Sequence, residues 1–422
     1  MNRPRRPSVL LVLLSALVLT VAGCAAPRAT PAAAAPPPLI LVSLDGFRWD
    51  YCAKYPAETP HLRRLMREGV SARGLIPVYP SNTFPNHYTI VTGLYPSHHG
   101  IVNNTCFDAA DGRFFRSSQP ASAHDVRWWG GEPVWITAVK QGRVSACAFW
   151  PGSEAAIGGV HATYWRPYDY AIPFERRLDE LAGWLALPPG RQPAVITFYL
   201  EETNSAGHAG GPDSPAIAAA IRLLDARVGA ILDRLAASHT AANLVVVSDH
   251  GMTASSPDRV VFLDDYIDPA TVQIDFDESV AGLRPLGGAT TVDALLRALA
   301  RIPASQAVAS RAADLPARFH VDPHHPRVPP VWVAPAEGWQ VMTRAKFAPQ
   351  RATFSKGQHG YDPALPSMHG ILIAWGPSFR RGGAVVPEVE NIHIYNLLCA
   401  AAGLTPAPND GDARLVRAML RR

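Results

Sequence analysis

Asp45, Thr83, Asn204, His208, Asp249, His250 and His359 are side chains of the types that hold a divalent metal or attack phosphorus. Oxygen and imidazole-nitrogen donors in such a set are those a zinc ion takes in open catalytic sites. They are numerous enough for two ions. Two ions roughly 4 Å apart clamp a phosphoryl group, one activating the attacking hydroxyl and the other holding the leaving oxygen. Thr83 is the candidate nucleophile, because it directly precedes Phe84-Pro85 at the start of an expected helix. In that pattern it reads as the N-cap, where free backbone N–H groups and the helix dipole favour an anion. Each piece also has a plain structural reading: Thr83 as a helix cap, Asp45-Gly46 and Asp249-His250-Gly251 as turns, His359 as a solvated loop residue.

The elements that must position these groups are short and strongly apolar. Leu39–Leu44 is an almost continuous apolar run ending at Asp45-Gly46, and Leu244–Ser248 is another ending at Asp249-His250-Gly251. Such runs suit strands buried on both faces. Val144–Phe149, Ala194–Leu200 and Ile371–Trp375 read the same way, with a shorter strand at Leu75–Val78. Helical spacing marks Pro60–Glu68, Pro173–Leu185 and Ser214–Ala236, the last with a core stripe of Ile217, Ile221, Leu224, Val228, Ile231 and Leu235. Strands alternating with helices predict an α/β fold, a mostly parallel central sheet with helices on both faces. Ligands bind such sheets beyond the carboxyl ends of the strands, where Asp45, Asn204, His208, Asp249 and His250 all fall.

Within the 422 residues, 1–23 read as an export signal: Arg3, Arg5 and Arg6 precede an apolar run that ends Val21-Ala22-Gly23-Cys24. That ending resembles a bacterial lipobox, which implies a lipid on Cys24 and anchorage in the cell envelope, on the periplasmic side. An Ala/Pro-rich tether covers 24–38, and the catalytic α/β domain is expected over 39–405. Pro-interrupted texture over about 254–351, with a helix near Val292–Ala300, suggests an inserted lid or subdomain, and 406–422 is left as a C-terminal tail. Cys52, Cys106, Cys147 and Cys399 permit disulfides in an oxidising compartment without specifying any. A net charge of +4 with no long Lys/Arg run does not call for a nucleic-acid polymer. It remains compatible with a small anionic substrate.

Taken together, LVSLDGFRWDY, SNTFPNHYTIVTGLYPSHHGIVNN, YLEETNSAGHAGGP, VVVSDHGMT and KGQHGYDP resemble the nucleotide pyrophosphatase/phosphodiesterase family of the alkaline phosphatase superfamily, over Leu39 to about Asn391. The resemblance implies two Zn2+ ions, one held by Asp45, Thr83, Asp249 and His250, the other by His208, His359 and the residue at 204. It implies a phosphothreonine on Thr83, with Asn104 donating to a phosphoryl oxygen. Phe84, Tyr168 and Tyr199 match positions that shape a nucleoside pocket. The chain departs from the family at Asn204, where the family has Asp; an amide oxygen can ligate zinc, but without charge. The function expected is cleavage of phosphodiester or pyrophosphate bonds of nucleotides. The alternatives are a phosphomonoesterase on the same core, or an envelope-tethered binding protein with impaired catalysis.

Overall fold

The computed structural model describes Met1 and residues 36–421, so the expected signal, Cys24 and most of the tether lie outside the described residues. Its centre is an eight-stranded sheet whose middle strands are Leu39–Leu44, Val195–Leu200 and Asn243–Val247. Leu39–Leu44 pairs in parallel with both of the other two. Its alternate residues enter opposite cores, Leu39 and Leu41 on one face, Ile40, Val42 and Leu44 on the other. This is why the strand shows no polar alternation in sequence. Ser145–Ala148 and Tyr164–Arg166 extend the sheet in parallel on one side. On the other side Leu372–Trp375 runs antiparallel to its neighbours Asn243–Val247 and Val70–Ala72.

Helix Pro215–Ser238 places the expected stripe against one face, with Ile217, Ile221, Leu224, Val228 and Ile231 buried. Helices Thr83–Thr92 and Ile394–Ala402 cover the other face. The result is an α/β fold with helices on both faces of a mostly parallel sheet.

Between the two-residue strands Thr253–Ala254 and Gly357–Gln358, which pair antiparallel, the chain builds a four-stranded sheet of Val272–Phe276, Ala281–Pro285, Val331–Pro335 and Ala307–Arg311. Helix Val292–Leu299 backs it, around a separate apolar cluster that includes Leu263, Leu283, Leu295 and Val333. Residues 406–422, read from sequence as a tail, carry helix Arg414–Met419, whose Leu415 and Met419 are buried in the main core. Their apolar spacing is too short to register as an amphipathic helix until Ile394–Ala402 supplies a partner surface. Among the described residues Cys52, Cys106, Cys147 and Cys399 are all buried free thiols. No described helix is long and apolar enough to cross a membrane.

Candidate active site

Three turns at strand ends deliver the candidate residues. Asp45 follows Leu39–Leu44 directly, and Gly46 turns the chain at φ +67°, with its Cα so near helix Glu202–Gly210 that a Cβ would lie 3.1 Å from the Asn204 Cα. Glycine is needed there for both the backbone conformation and the approach. Asn204 and His208 share one face of that helix at i, i+4. Asp249 and His250 follow Asn243–Val247. His359 arrives from far along the chain because the Thr253–Ala254 and Gly357–Gln358 pair ties the two ends of the insertion together. Its ring stacks on that of His250, centroids 3.6 Å apart.

Thr83 is the first residue of helix Thr83–Thr92, and Asn82 occupies the N-cap expected for Thr83. The shift by one residue follows from Asn82: its backbone is extended, and its amide donates to Asn103 Oδ1 (2.7 Å) instead of capping. The Thr83 hydroxyl is therefore free of a capping bond and lies 3.3 Å from His250 Nε2.

That same nitrogen is 3.0 Å from Asp249 Oδ2 and 3.5 Å from Asp45 Oδ1. Donor bookkeeping on the rings shows what the cluster can hold. Nδ1 of His250 faces Gly251 O at 2.8 Å, Nδ1 of His208 faces Gly357 O at 2.9 Å, and Nδ1 of His359 faces Ser81 O at 3.1 Å. A carbonyl only accepts, so each Nδ1 carries hydrogen and each neutral ring turns the Nε2 lone pair to the site. Asp45 Oδ1, Asp249 Oδ2 and Asn204 Oδ1 are buried with no hydrogen-bond partner among the described residues. Buried oxygens left unpaired are costly, and three of them together with outward-facing imidazole lone pairs fit a divalent cation.

The electrostatics agree with that fit. Burial, with Asp249 beside it, pushes the Asp45 carboxyl up to about 7. Burial also raises Asp249, but the neighbouring His250 and His87 outweigh it and hold Asp249 well below the usual carboxylate range. Burial alone would lower His250, yet Asp249 and Asp45 raise it to about 9. In the absence of a cation, protons are thus drawn in to balance the two acids. On the other half of the site, burial lowers His208, and burial together with the adjacent His250 lowers His359 far below the ordinary imidazole value. Both rings are kept neutral, the form that ligates metal.

His87 is a site residue the sequence reading missed. Asp45, His87 and Asp249 bring one ligand-type atom each within 4.8 Å of one another. The His87 Nδ1, however, lies 2.9 Å from Thr83 O, which requires it to donate, and its Nε2 is engaged by the Ser43 hydroxyl at 2.8 Å. Both nitrogens being taken, His87 is not free to ligate a metal, and its Nδ1 lies 3.3 Å from Asp249 Oδ2. Its position four residues after Thr83 on a helix was the available signal.

Asn104 accepts from the Phe84 N–H through Oδ1 at 2.8 Å, which leaves its NH2 group as a free donor beside Thr83. Two cavities lie beside the start of helix Thr83–Thr92, one lined by Thr83 and the other by Asn82 and Asn104. One, of about 500 Å³, is lined by Thr83, Phe84, Trp150, Tyr168 and Tyr199 and is mainly apolar. The other, of about 580 Å³, is polar and is lined by Asn104, His208, His359 and residues of the insertion. Phe84 and Tyr168 therefore flank one cavity with aromatic rings. Tyr199 also lines it, while its hydroxyl donates to Asp45 Oδ2 at 2.6 Å and so orients that carboxylate.

Residues 39–362 match the family model described as type I phosphodiesterase/nucleotide pyrophosphatase. The chain is 36% identical over 389 residues to mouse ectonucleotide pyrophosphatase/phosphodiesterase family member 3, covering 89% of this chain and 43% of that protein. It is 37% identical over 402 residues to a venom phosphodiesterase of Crotalus durissus collilineatus, covering 92% and 47%. The chain thus spans about half the length of the curated relatives it matches. Among solved structures, human ectonucleotide pyrophosphatase/phosphodiesterase 5 superposes with a TM-score of 0.85 at 32% identity, over 91% of this chain and 100% of that one. The murine counterpart, an inactive threonine-to-alanine form in complex with AMP, gives 0.84 at 33% identity over the same shares.

Proposed function

Because the chain belongs to the type I phosphodiesterase/nucleotide pyrophosphatase family, we propose that it hydrolyses phosphodiester or pyrophosphate bonds of nucleotides through a phosphothreonine on Thr83, with two zinc ions bound. The observation that carries this reading is the Thr83 hydroxyl 3.3 Å from His250 Nε2, at a helix N-terminus, beside buried oxygens that have no partner. Asp45, Asp249 and His250 would hold one ion next to Thr83, and Asn204, His208 and His359 the other. Zinc supplies Lewis acidity, which lowers the hydroxyl pKa and offsets charge on the phosphoryl oxygens.

The chain's own groups do the rest. Thr83 Oγ1 bonds to phosphorus as the bond to the leaving oxygen breaks, and water then cleaves the phosphothreonine to restore the hydroxyl. The Thr83 backbone N–H and the Asn104 NH2 stabilise the charge that builds on the non-bridging oxygens, since the Phe84 N–H is engaged by Asn104, Pro85 has none and the Asn86 N–H is bonded to Asn82 O. Phe84 and Tyr168 suit a nucleobase, which stacks on aromatic faces. The AMP complex of the murine relative supports a nucleotide there. An aromatic wall beside the nucleophile favours a diester substituent over a bare monoester.

The test is zinc stoichiometry with kinetics over a panel of nucleotide diesters, dinucleoside pyrophosphates and nucleoside monophosphates. Two zincs per chain and turnover of the first two classes are expected. Preferential turnover of monophosphates would instead make the protein a phosphomonoesterase, and no turnover with retained nucleotide binding would make it a binding protein.

A further inference from the structure

We propose that Glu278, supplied by the inserted segment, provides from outside the ligand set the negative charge that Asn204 does not bring to the second metal position. The proposal rests on the two-zinc reading above. His208, His359 and Asn204 are all neutral donors, so a divalent ion held by them has no anionic partner of its own. Glu278 lines the same polar cavity as His208 and His359. Its Oε2 accepts from Gln358 Nε2 at 3.2 Å, and Gln358 immediately precedes His359 and accepts from the His359 N–H at 3.1 Å.

The placement of Glu278 is enforced by the fold. Its N–H and C=O exchange bonds with Val341, both 2.8 Å. They hold it at φ +88°, a conformation that side-chain-bearing residues rarely adopt. Strain of this kind persists where surrounding structure over-determines it, and it clusters at functional sites. Asp277 and Glu278 share the single cation of Lys346, so Glu278 has no cation of its own in that pair, and Arg116 lines the same cavity.

The experiment is zinc binding by the full chain in competition with a chelator, for the parent, Glu278→Gln, Asn204→Asp and the double variant. Glu278→Gln is expected to weaken the weaker of two zinc sites by about 10- to 100-fold, the range for losing an outer-shell partner. In the Asn204→Asp background the same change should matter less than about twofold, since the ligand then carries the charge itself. Glu278→Gly removes both the charge and the need for a strained backbone. It should weaken that zinc as much as Gln does, while the metal-free protein melts no lower than the parent. Two zincs held with parental affinity by either Glu278 variant would overturn the proposal and leave the two-zinc reading intact. A parent that takes up no more than one zinc would overturn both.

Discussion

At the residue scale, chemistry turns on which atoms are left without partners. Thr83 keeps a free hydroxyl because Asn82 takes the cap position, and Asn104 keeps a free NH2 because its oxygen is engaged by Phe84 N–H. Thr83→Ala is expected to lower kcat on a chromogenic nucleotide diester by at least about 10³-fold, with nucleotide affinity and zinc content retained. Loss of zinc along with turnover would instead make Thr83 chiefly a ligand. Tyr199→Phe tests the orientation of Asp45: without the 2.6 Å donor, zinc affinity measured by chelator competition should fall by about 10- to 100-fold. Asp45, Asp249 and His250 were readable because they end apolar runs. Asn104 was readable only through family resemblance, since no local pattern marks an amide in a loop as a donor to substrate.

At the element scale, the helix Thr83–Thr92 and the turn after it are held by neutral buried histidine. His99 is fully buried, its Nδ1 accepts from Ile101 N–H at 3.2 Å, and its Nε2 donates to the Thr89 hydroxyl at 3.0 Å. Burial lowers it from 6.5 to about 3. The folded-state value is depressed, so the unfolded chain binds more protons between those values. The neutral ring's contribution is therefore complete above pH 6.5 and is lost as pH falls towards 3. Melting temperature measured across that window should fall more steeply for the parent than for His99→Gln, which cannot titrate; equal slopes would remove His99 from the acid response. The element boundaries were mostly legible, because buried strands and the long helix Pro215–Ser238 carry their own periodicity. The N-cap shift at Thr83 was not, since it depends on Asn82 finding Asn103 across a loop.

At the scale of the whole molecule, the proposed metal site and the fold are linked. Two buried carboxylates, Asp45 and Asp249, sit in one cluster whose charge is balanced by protons when no cation is present. Zinc removal should lower the melting temperature and readdition restore it, because a ligand bound at 100 times its Kd adds about 2.7 kcal/mol to stability. An unchanged melting temperature would mean that no tightly held ion contributes. We further propose that the N-terminal segment directs export and that a lipid on Cys24 anchors the chain. Cys24→Ser should then move the protein from the membrane pellet to the soluble fraction in a bacterial host that processes lipoproteins. Partition unaltered by the substitution would argue for plain secretion or another anchor.

The sequence by itself determined the sheet, its buried strands and the polar groups that end them, because those signals are local: apolar runs too uniform for an exposed strand, stopped by Asp-Gly or Asp-His-Gly. Tertiary structure decided which distant groups complete the site. His359 joins His250 only because the ends of the insertion pair with each other. His87 comes within 3.3 Å of Asp249 only because the helix docks beside the strand end, and Glu278 lines the cavity of His208 and His359 only because Val341 holds its backbone. Each of these depends on closing a loop between residues far apart in the chain, and the pairing that closes it leaves no periodic trace in the sequence.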